Sequence, residues 1–124
     1  MNWPLVLILA SLGAFFLVYY LRHRGERSDE QLNEHWQRIQ QGALILDVRT
    51  AQEFSQGHIE GALNIPHNEI EQRIAELGPD KSRIVVAYCA VGGRSEKAKQ
   101  QLLAHGFKQV YNAGGYIDLL NSKS

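Results

Sequence analysis

The sequence of 124 residues contains one cysteine, Cys89, and only five histidines. One cysteine cannot form an internal disulfide bond, and it cannot supply a metal site that needs several thiolates. The histidines lie at positions 23, 35, 58, 67 and 105, without the i, i+4 spacing of a helical metal site. We therefore expect no metal ion and no other cofactor, and a lone thiol fits a reducing compartment.

An excess of either charge sign is also missing from the sequence. There are 13 basic and 13 acidic residues in the whole chain. If Arg22 and Arg24 are set aside with the N-terminal segment described below, 13 − 2 = 11 basic residues remain against the 13 acidic ones. Nucleic-acid-binding domains carry a basic patch or stripe. The balance of charge therefore argues against a nucleic-acid partner.

Charged residues are absent from Trp3 to Leu21, where Leu, Val, Ile, Ala and Phe dominate. As a helix these residues would span roughly 28 Å, close to the hydrocarbon thickness of a bilayer. Tyr19 and Tyr20 lie near one end, as aromatic residues do at membrane interfaces. We therefore predict a single-pass membrane anchor at residues 1–24, which enters the membrane with residues 3–21, and one soluble domain at residues 25–124.

Two other interpretations of the apolar segment are a cleaved signal peptide and a helix buried in a soluble core. A signal peptide carries positive charge before its apolar run, but no Lys or Arg precedes Trp3 here. A helix that is apolar all round fits lipid better than one side of a core. Arg22, Arg24 and Arg27 follow the run, so the positive-inside rule predicts that the domain faces the cytoplasm, most simply from a bacterial inner membrane.

Short apolar runs alternate with amphipathic segments in the rest of the chain. We predict strands at 43–47, 62–65, 84–88 and 109–111, with the β-rich run 84–88 in the centre of the sheet. Helices are predicted at 28–41, from 51, at 68–77 and from 95 to 106, and a last apolar turn is predicted at 116–120. Strands that alternate with helices indicate an α/β fold with a parallel sheet covered on both faces.

Helix starts are predicted from side chains that cap free backbone amides. The expected caps are Ser28 with Gln31, Thr50 with Glu53, Asn68 with Glu71, and Ser95 alone. The helix that follows Asn68 would bury Ile70, Ile74 and Leu77 and end at Gly78.

The segment Cys89-Ala90-Val91-Gly92-Gly93-Arg94-Ser95 joins a predicted buried strand to a predicted helix. Ligands bind at the carboxyl ends of parallel strands, and this loop lies at such an end. Gly92 and Gly93 allow positive φ, so that successive amides can face an anion. The helix N-terminus and Arg94 add positive potential. These features favour a Cys89 thiolate, which is a nucleophile, over a buried and inert thiol.

Several blocks of sequence occur together in a fixed order. They are Leu46-Asp47-Val48-Arg49, Glu53-Phe54, Gly57-His58-Ile59-Glu60-Gly61-Ala62 with Asn64-Ile65-Pro66, the Cys89 loop, and Gly114-Gly115. With these blocks the chain resembles the rhodaneses, a family of sulfurtransferases, in their single-domain form. The resemblance covers roughly Leu32 to Leu120. It implies a rhodanese-like parallel sheet flanked by helices on both faces, here preceded by one transmembrane helix.

The resemblance also implies a reaction. Cys89 would accept a sulfane sulfur from a small anionic donor such as thiosulfate, and the resulting persulfide would pass that sulfur to a thiol or to cyanide. Residues Ala90, Val91, Gly92, Gly93, Arg94 and Ser95 would hold the sulfur, and Arg94 would orient the donor and support the loop. Asp47, Arg49 and His58 are expected in supporting roles, as a strand-end network and a loop-fixing side chain. The sequence identifies no protein partner.

Two alternatives use the same fold. A membrane-tethered docking module would bind a partner without turnover, although the intact cysteine loop favours an enzyme. A phosphatase or arsenate reductase of this fold family would resemble the phosphatase pattern, in which five residues separate cysteine from arginine. Only four residues lie between Cys89 and Arg94. The shorter loop suits sulfur better than a phosphate tetrahedron.

Overall fold

The computed structural model describes residues 2–123, apart from the side chains of residues 23–28. In chain order the elements are α1 (Trp3–Gln40), β1 (Leu44–Asp47), α2 (Ala51–Ser55), β2 (Leu63–Asn64), 3₁₀ helices His67–Glu69 and Ile74–Leu77, β3 (Ile84–Cys89), α3 (Gly93–Ala104), β4 (Gln109–Gly115) and α4 (Tyr116–Asn121). Residues 1–31 and 32–124 form two separate units.

The first unit consists of the N-terminal part of α1. Within it Trp3–Arg22 has 20 residues and a mean hydropathy of 2.2, so it is long and apolar enough to cross a membrane. Its large apolar side chains are exposed, with Phe15 72% accessible. The prediction of a helix start at Ser28 was wrong, because α1 continues through that residue. The side chain of Ser28, and with it the predicted capping box, lies outside the described residues.

The second unit is built on a four-stranded parallel sheet in the order β2-β1-β3-β4. Leu46 on β1 pairs with Leu63 on β2, and Ile45 pairs with Val86 on β3. Val85 on β3 pairs with Val110 on β4. The predicted central place of β3 is confirmed, since a hydrogen-bonded strand lies on each side of it.

Each face of the sheet carries its own apolar cluster, because side chains alternate along a strand. On one face Val85 and Ala87 pack with Ala98 and Leu102 of α3. On the other face Val86 and Tyr88 pack with Trp36 of α1 and Leu119 of α4. The predicted α/β architecture, with helices on both faces of a parallel sheet, is confirmed.

The segment between β2 and β3 differs from the predicted helix at 68–77. It forms two 3₁₀ helices, separated by a turn, instead of one α-helix capped by Asn68. Ile70 and Leu77 are nevertheless fully buried. The first turn of a helix is unfavourable to form, so a short helix gains little stability from its own hydrogen bonds. The backbone conformation of this segment is therefore determined by the burial of these side chains.

The pairing of β3 with β4 is irregular where both strands end. Ala87 pairs with Asn112, but Cys89 pairs with Gly115, so two residues of β4 oppose one residue of β3. This is a β-bulge, a feature that bends a strand and redirects its side chains. It brings the end of β4 beside the residues that follow Cys89.

Trp36 fixes the last turns of α1 to the C-terminus of the domain. Its Nε1–H donates to the carbonyl oxygen of Leu119 at 2.9 Å and to Ser122 Oγ at 3.0 Å. The side chain is only 6% exposed. The Ser122 hydroxyl also donates to Leu119 O, at 2.8 Å, so this carbonyl has a second donor.

We predict that Trp36→Phe lowers the free energy of unfolding by roughly 1–2 kcal/mol, because a buried donor is lost while the apolar contact remains. Trp3→Phe, in the exposed apolar segment, is the matched control and should leave stability unchanged. Urea unfolding of the full chain in a mild detergent, followed by far-ultraviolet circular dichroism, measures both. Equal midpoints for the two variants would contradict the role of the Trp36 hydrogen bonds.

Candidate active site

Cys89 is the last residue of β3, and helix α3 begins four residues later at Gly93. The predicted position of the cysteine, at the carboxyl end of a buried parallel strand, is confirmed. Cys89 has no exposed surface, whereas Val91 at the tip of the loop is 88% exposed. The cysteine is therefore covered by the protein around it.

Two glycines allow the loop to lie against the end of β4. Gly92 has φ +105°, and a Cβ there would lie 3.3 Å from the Cα of Gly114. A Cβ on Gly115 would lie 2.7 Å from the carbonyl oxygen of Ala90, which is a clash. The prediction of positive φ is therefore confirmed for Gly92 but not for Gly93, which is the first residue of α3 and has open space around its Cα.

The sulfur of Cys89 receives hydrogen bonds from the loop that follows it. The backbone N–H of Gly92 points at Sγ at 2.8 Å, and Ser95 Oγ lies 3.4 Å away. Burial raises the pKa of the Cys89 thiol, but hydrogen bonds from the Ser95 hydroxyl and from the amides of Ser95, Gly92 and Val91 outweigh it. The pKa is therefore lowered from the usual value for cysteine. The arrangement stabilises a thiolate.

Ser95 was predicted to cap α3, and that prediction was wrong. The N-cap is Gly92, and Ser95 lies one turn inside the helix, where it is fully buried. Besides the Cys89 sulfur, its hydroxyl reaches the carbonyl of Gly92 at 3.0 Å and Oδ1 of Asn112 at 2.7 Å. A hydroxyl has one proton. Ser95 can thus give it to only one of these three acceptors at a time.

Asn112 holds the active loop, and the sequence analysis did not identify it. Its Nδ2 donates to the carbonyl of Gly92 at 3.0 Å and to Glu96 Oε2 at 3.0 Å. Its Oδ1 accepts from Ser95 and from the backbone N–H of Gly114 at 2.9 Å. It follows the predicted strand 109–111, whereas the observed β4 extends to Gly115, so no pattern in the sequence pointed to it. Asn112 fixes both the loop and the β4 end against which the loop lies.

Arg94 is held by a carboxylate. Its guanidinium makes two parallel contacts with Glu53, at 2.6 and 3.0 Å. The Arg94 hydrogen bond lowers the pKa of Glu53 to about 2, even though burial opposes the shift. Glu53 was predicted only as part of a capping box with Thr50, which is confirmed. Its second role, as the partner of Arg94 across 41 positions of sequence, was not predicted.

Asp47 and Arg49 form a buried ion pair at the end of β1. Arg49 Nη2 lies 2.7 Å from Asp47 Oδ2 and donates to the carbonyl of Gly57 at 2.6 Å. The guanidinium also lies 4.4 Å from the centre of the Tyr116 ring. The pair therefore joins three separate segments. This geometry fits the strand-end network that the sequence suggested.

His58 lies on the neighbouring loop. Its ring stacks on Phe54 with centroids 3.7 Å apart, and Nδ1 lies 2.9 Å from the carbonyl of Phe54. The side chain is exposed. The contacts fit a residue that fixes its loop. Among the described residues, no group of His, Cys, Asp and Glu could hold a metal ion.

We predict that alkylation of Cys89 by iodoacetamide has a pH midpoint below the ordinary cysteine value of roughly 8.5. Asn112→Ala should raise this midpoint by roughly half a unit to one unit, because the amide of Gly92 and the hydroxyl of Ser95 lose their fixed positions. Each alkylation rate is divided by the rate that the same variant reaches at high pH. Differences in access to the sulfur then do not affect the pH midpoint.

Gln109→Ala is the control for this experiment, because Gln109 lies on the same strand but bonds the carbonyl of Ser82. It should leave the midpoint where it is in the unaltered protein. A midpoint of 8.5 or above in the unaltered protein would contradict thiolate stabilisation. An unchanged midpoint in Asn112→Ala would contradict its positioning role.

Comparison with curated proteins gives relatives along most of the chain. Thiosulfate sulfurtransferase PspE of Escherichia coli (strain K12) is 40% identical over 90 residues, which are 73% of this chain and 78% of that protein. The uncharacterized protein YqhL of Bacillus subtilis (strain 168) is 33% identical over 117 residues, which are 92% of this chain and 88% of that protein.

Solved structures and a family model agree with these relatives. A rhodanese with anions from E. coli has a TM-score of 0.59 and 42% identity, over 62% of this chain and 91% of that chain. The human single domain sulfurtransferase TSTD1 has a TM-score of 0.58 and 28% identity, over 69% and 88%. The model of the rhodanese-like domain matches residues 31–120. The chain therefore belongs to the rhodanese-like family and is a sulfurtransferase of the rhodanese type.

Proposed function

We propose that Cys89 carries a sulfane sulfur from a small anionic donor, such as thiosulfate, to a thiol acceptor or to cyanide. The observation that carries this proposal is the N–H of Gly92 pointing at the Cys89 sulfur at 2.8 Å. A hydrogen-bond donor aimed at a buried sulfur favours its anionic form, and the thiolate is the reactive form of cysteine. The name of PspE, a thiosulfate sulfurtransferase, supports the same donor.

In the first half of the reaction, the Cys89 thiolate attacks the outer sulfur of thiosulfate. The S–S bond of the donor breaks, and sulfite leaves with the bonding electron pair. In the second half, a thiolate or cyanide attacks the terminal sulfur of the persulfide, and the Cys89 thiolate is released. The negative charge rests on sulfur throughout, so the amides of the loop stabilise both the thiolate and the persulfide, as an oxyanion hole does for oxygen.

We also propose that residues 1–24 anchor the chain in a membrane and that residues 25–124 form the catalytic domain on the cytoplasmic side. Exposed apolar side chains such as Leu7 and Phe15 would be covered by lipid. The match to YqhL spans 92% of the chain, which is about 114 of the 124 residues. Residues 31–124, which follow the N-terminal segment, number only 94, so they cannot account for the whole match. That match therefore includes about 20 residues of the N-terminal segment, which supports its presence in a relative.

The first test is the intact mass of the reduced protein after it is mixed with thiosulfate. We expect a gain of one sulfur, about 32 Da, that is lost on addition of cyanide and absent in Cys89→Ser, because the thiolate is the nucleophile. Circular dichroism shows whether the variant is folded. A folded, reduced protein that gains no sulfur would overturn the proposal and favour a docking module without turnover.

The second test is protease protection in right-side-out membrane vesicles. The domain should be resistant until the vesicles are opened by detergent, because Arg22 and the basic residues that follow it hold this side in the cytoplasm. A soluble cytoplasmic marker controls for vesicle leakage. Digestion of the domain from outside intact vesicles would contradict the orientation, and recovery of the chain in the soluble fraction would contradict the anchor.

A further inference from the structure

The cation beside the reactive cysteine is neutralised within the structure. Arg94 lies in the first turn of α3, directly before Ser95, whose hydroxyl lies 3.4 Å from the Cys89 sulfur. Each of its terminal nitrogens nevertheless donates a hydrogen bond to Glu53, at 2.6 and 3.0 Å, so its charge is paired with that of the carboxylate. The two side chains are 29% and 33% exposed, so the pair lies at the edge of the site. The sequence led us to expect a free positive charge on Arg94, but in the structure Arg94 is paired with Glu53.

Glu53 is itself held in place from the other side. Its Oε1 accepts from the backbone N–H of Thr50 at 3.1 Å and from the Thr50 hydroxyl at 3.2 Å. These bonds are part of the capping box that begins α2, so the carboxylate does not depend on Arg94 for its position. Glu53 is therefore already in position to pair with Arg94.

The second arginine in this region is neutralised in the same way. Arg49 is paired with Asp47, which is fully buried. These two pairs have no net charge together. The groups that donate to the Cys89 sulfur are backbone amides of the loop and the hydroxyl of Ser95, all of which are neutral. Such dipoles stabilise a charge within hydrogen-bond distance, but they attract a distant second charge far less than a cation does.

We infer that Glu53 sets the charge preference of the site for its sulfur donor. By holding Arg94 in an ion pair, it disfavours donors with two negative charges relative to donors with one. The inference rests on the proposed sulfur transfer and refines the donor preference of the same site: thiosulfate remains a donor, and monoanionic compounds with a transferable outer sulfur are favoured relative to it. Glu53 acts through Arg94, so it is a positioning residue.

The inference can be tested with two sulfur donors that form the same product at Cys89 but differ in charge. Thiosulfate has two negative charges and methanethiosulfonate has one, and both present an outer sulfur. With each donor the Cys89 thiolate bonds to that sulfur and the S–S bond breaks, so that sulfite leaves in one case and methanesulfinate in the other. The product at Cys89 is the same persulfide, which allows loading to be followed by intact mass for both.

The experiment compares the two loading rates in the full chain and in Glu53→Gln. We expect the rate with thiosulfate, divided by the rate with methanethiosulfonate, to rise roughly three- to tenfold, the effect of one unit charge several ångströms away at an exposed site. Glutamine still suits the capping box with Thr50, so the variant should fold. Any change in thiolate fraction affects both donors equally and does not alter the ratio.

Glu76→Gln is the matched control, because Glu76 pairs with Arg73 at 2.6 Å in a comparable partly exposed ion pair. It should leave the ratio unchanged. If both donors load Cys89 but Glu53→Gln has the unaltered ratio, the inference is wrong and sulfur transfer stands. If neither donor loads the folded protein, both proposals are wrong.

Salt dependence tests the inference without any variant. In the unaltered protein, raising the salt concentration from roughly 10 mM to roughly 0.5 M should change the two loading rates by similar small factors, because a neutral site has little field to screen. A free cation would instead make loading by thiosulfate fall steeply with salt, while loading by methanethiosulfonate fell less. That second result would overturn the inference.

Discussion

The close contact between the cysteine loop and the end of β4 is the constraint on which the site depends. The loop approaches so closely that a Cβ on Gly115 would lie 2.7 Å from the carbonyl oxygen of Ala90. This contact places the carbonyl of Gly92 within reach of Asn112, and Asn112 in turn reaches Ser95. The direction of the Gly92 amide toward the sulfur therefore follows from packing between two strand ends, and not from the loop sequence alone.

The β-bulge between β3 and β4 explains how that contact arises. Ala87 still pairs with Asn112 in the regular register, and the extra residue of β4 follows Asn112; without it Gly114, and not Gly115, would lie opposite Cys89. Bulges commonly re-aim side chains next to active sites. Here the bulge places Gly115 opposite Cys89, where the carbonyl of Ala90 lies against it.

Elements whose formation depends on neighbouring residues could be predicted from the sequence. The run Ile84–Tyr88 is β-branched and apolar, and it forms the central strand β3. Thr50 and Glu53 are three residues apart, and their capping box is present. The start of α3 was misplaced because Gly92, with its positive φ, begins the helix before Ser95 can cap it.

Contacts between distant positions could not be predicted in this way. Glu53 and Arg94 are 41 residues apart, and Ser95 and Asn112 are 17 apart. No periodicity or capping pattern relates such positions, because the order of strands in the sheet brings them together. For the same reason the sequence suggested a charged site, whereas the structure contains neutral hydrogen-bond donors beside a closed ion pair.

The burial of Cys89 has a consequence for how long a sulfur can be kept. At this buried position a persulfide is less accessible to thiols and oxidants in bulk solvent than a persulfide on the surface, where these reagents remove the outer sulfur or oxidise it. A slower loss of the bound sulfur to such reagents follows from that burial. The protein is thereby suited to keep its sulfur until an acceptor enters the site.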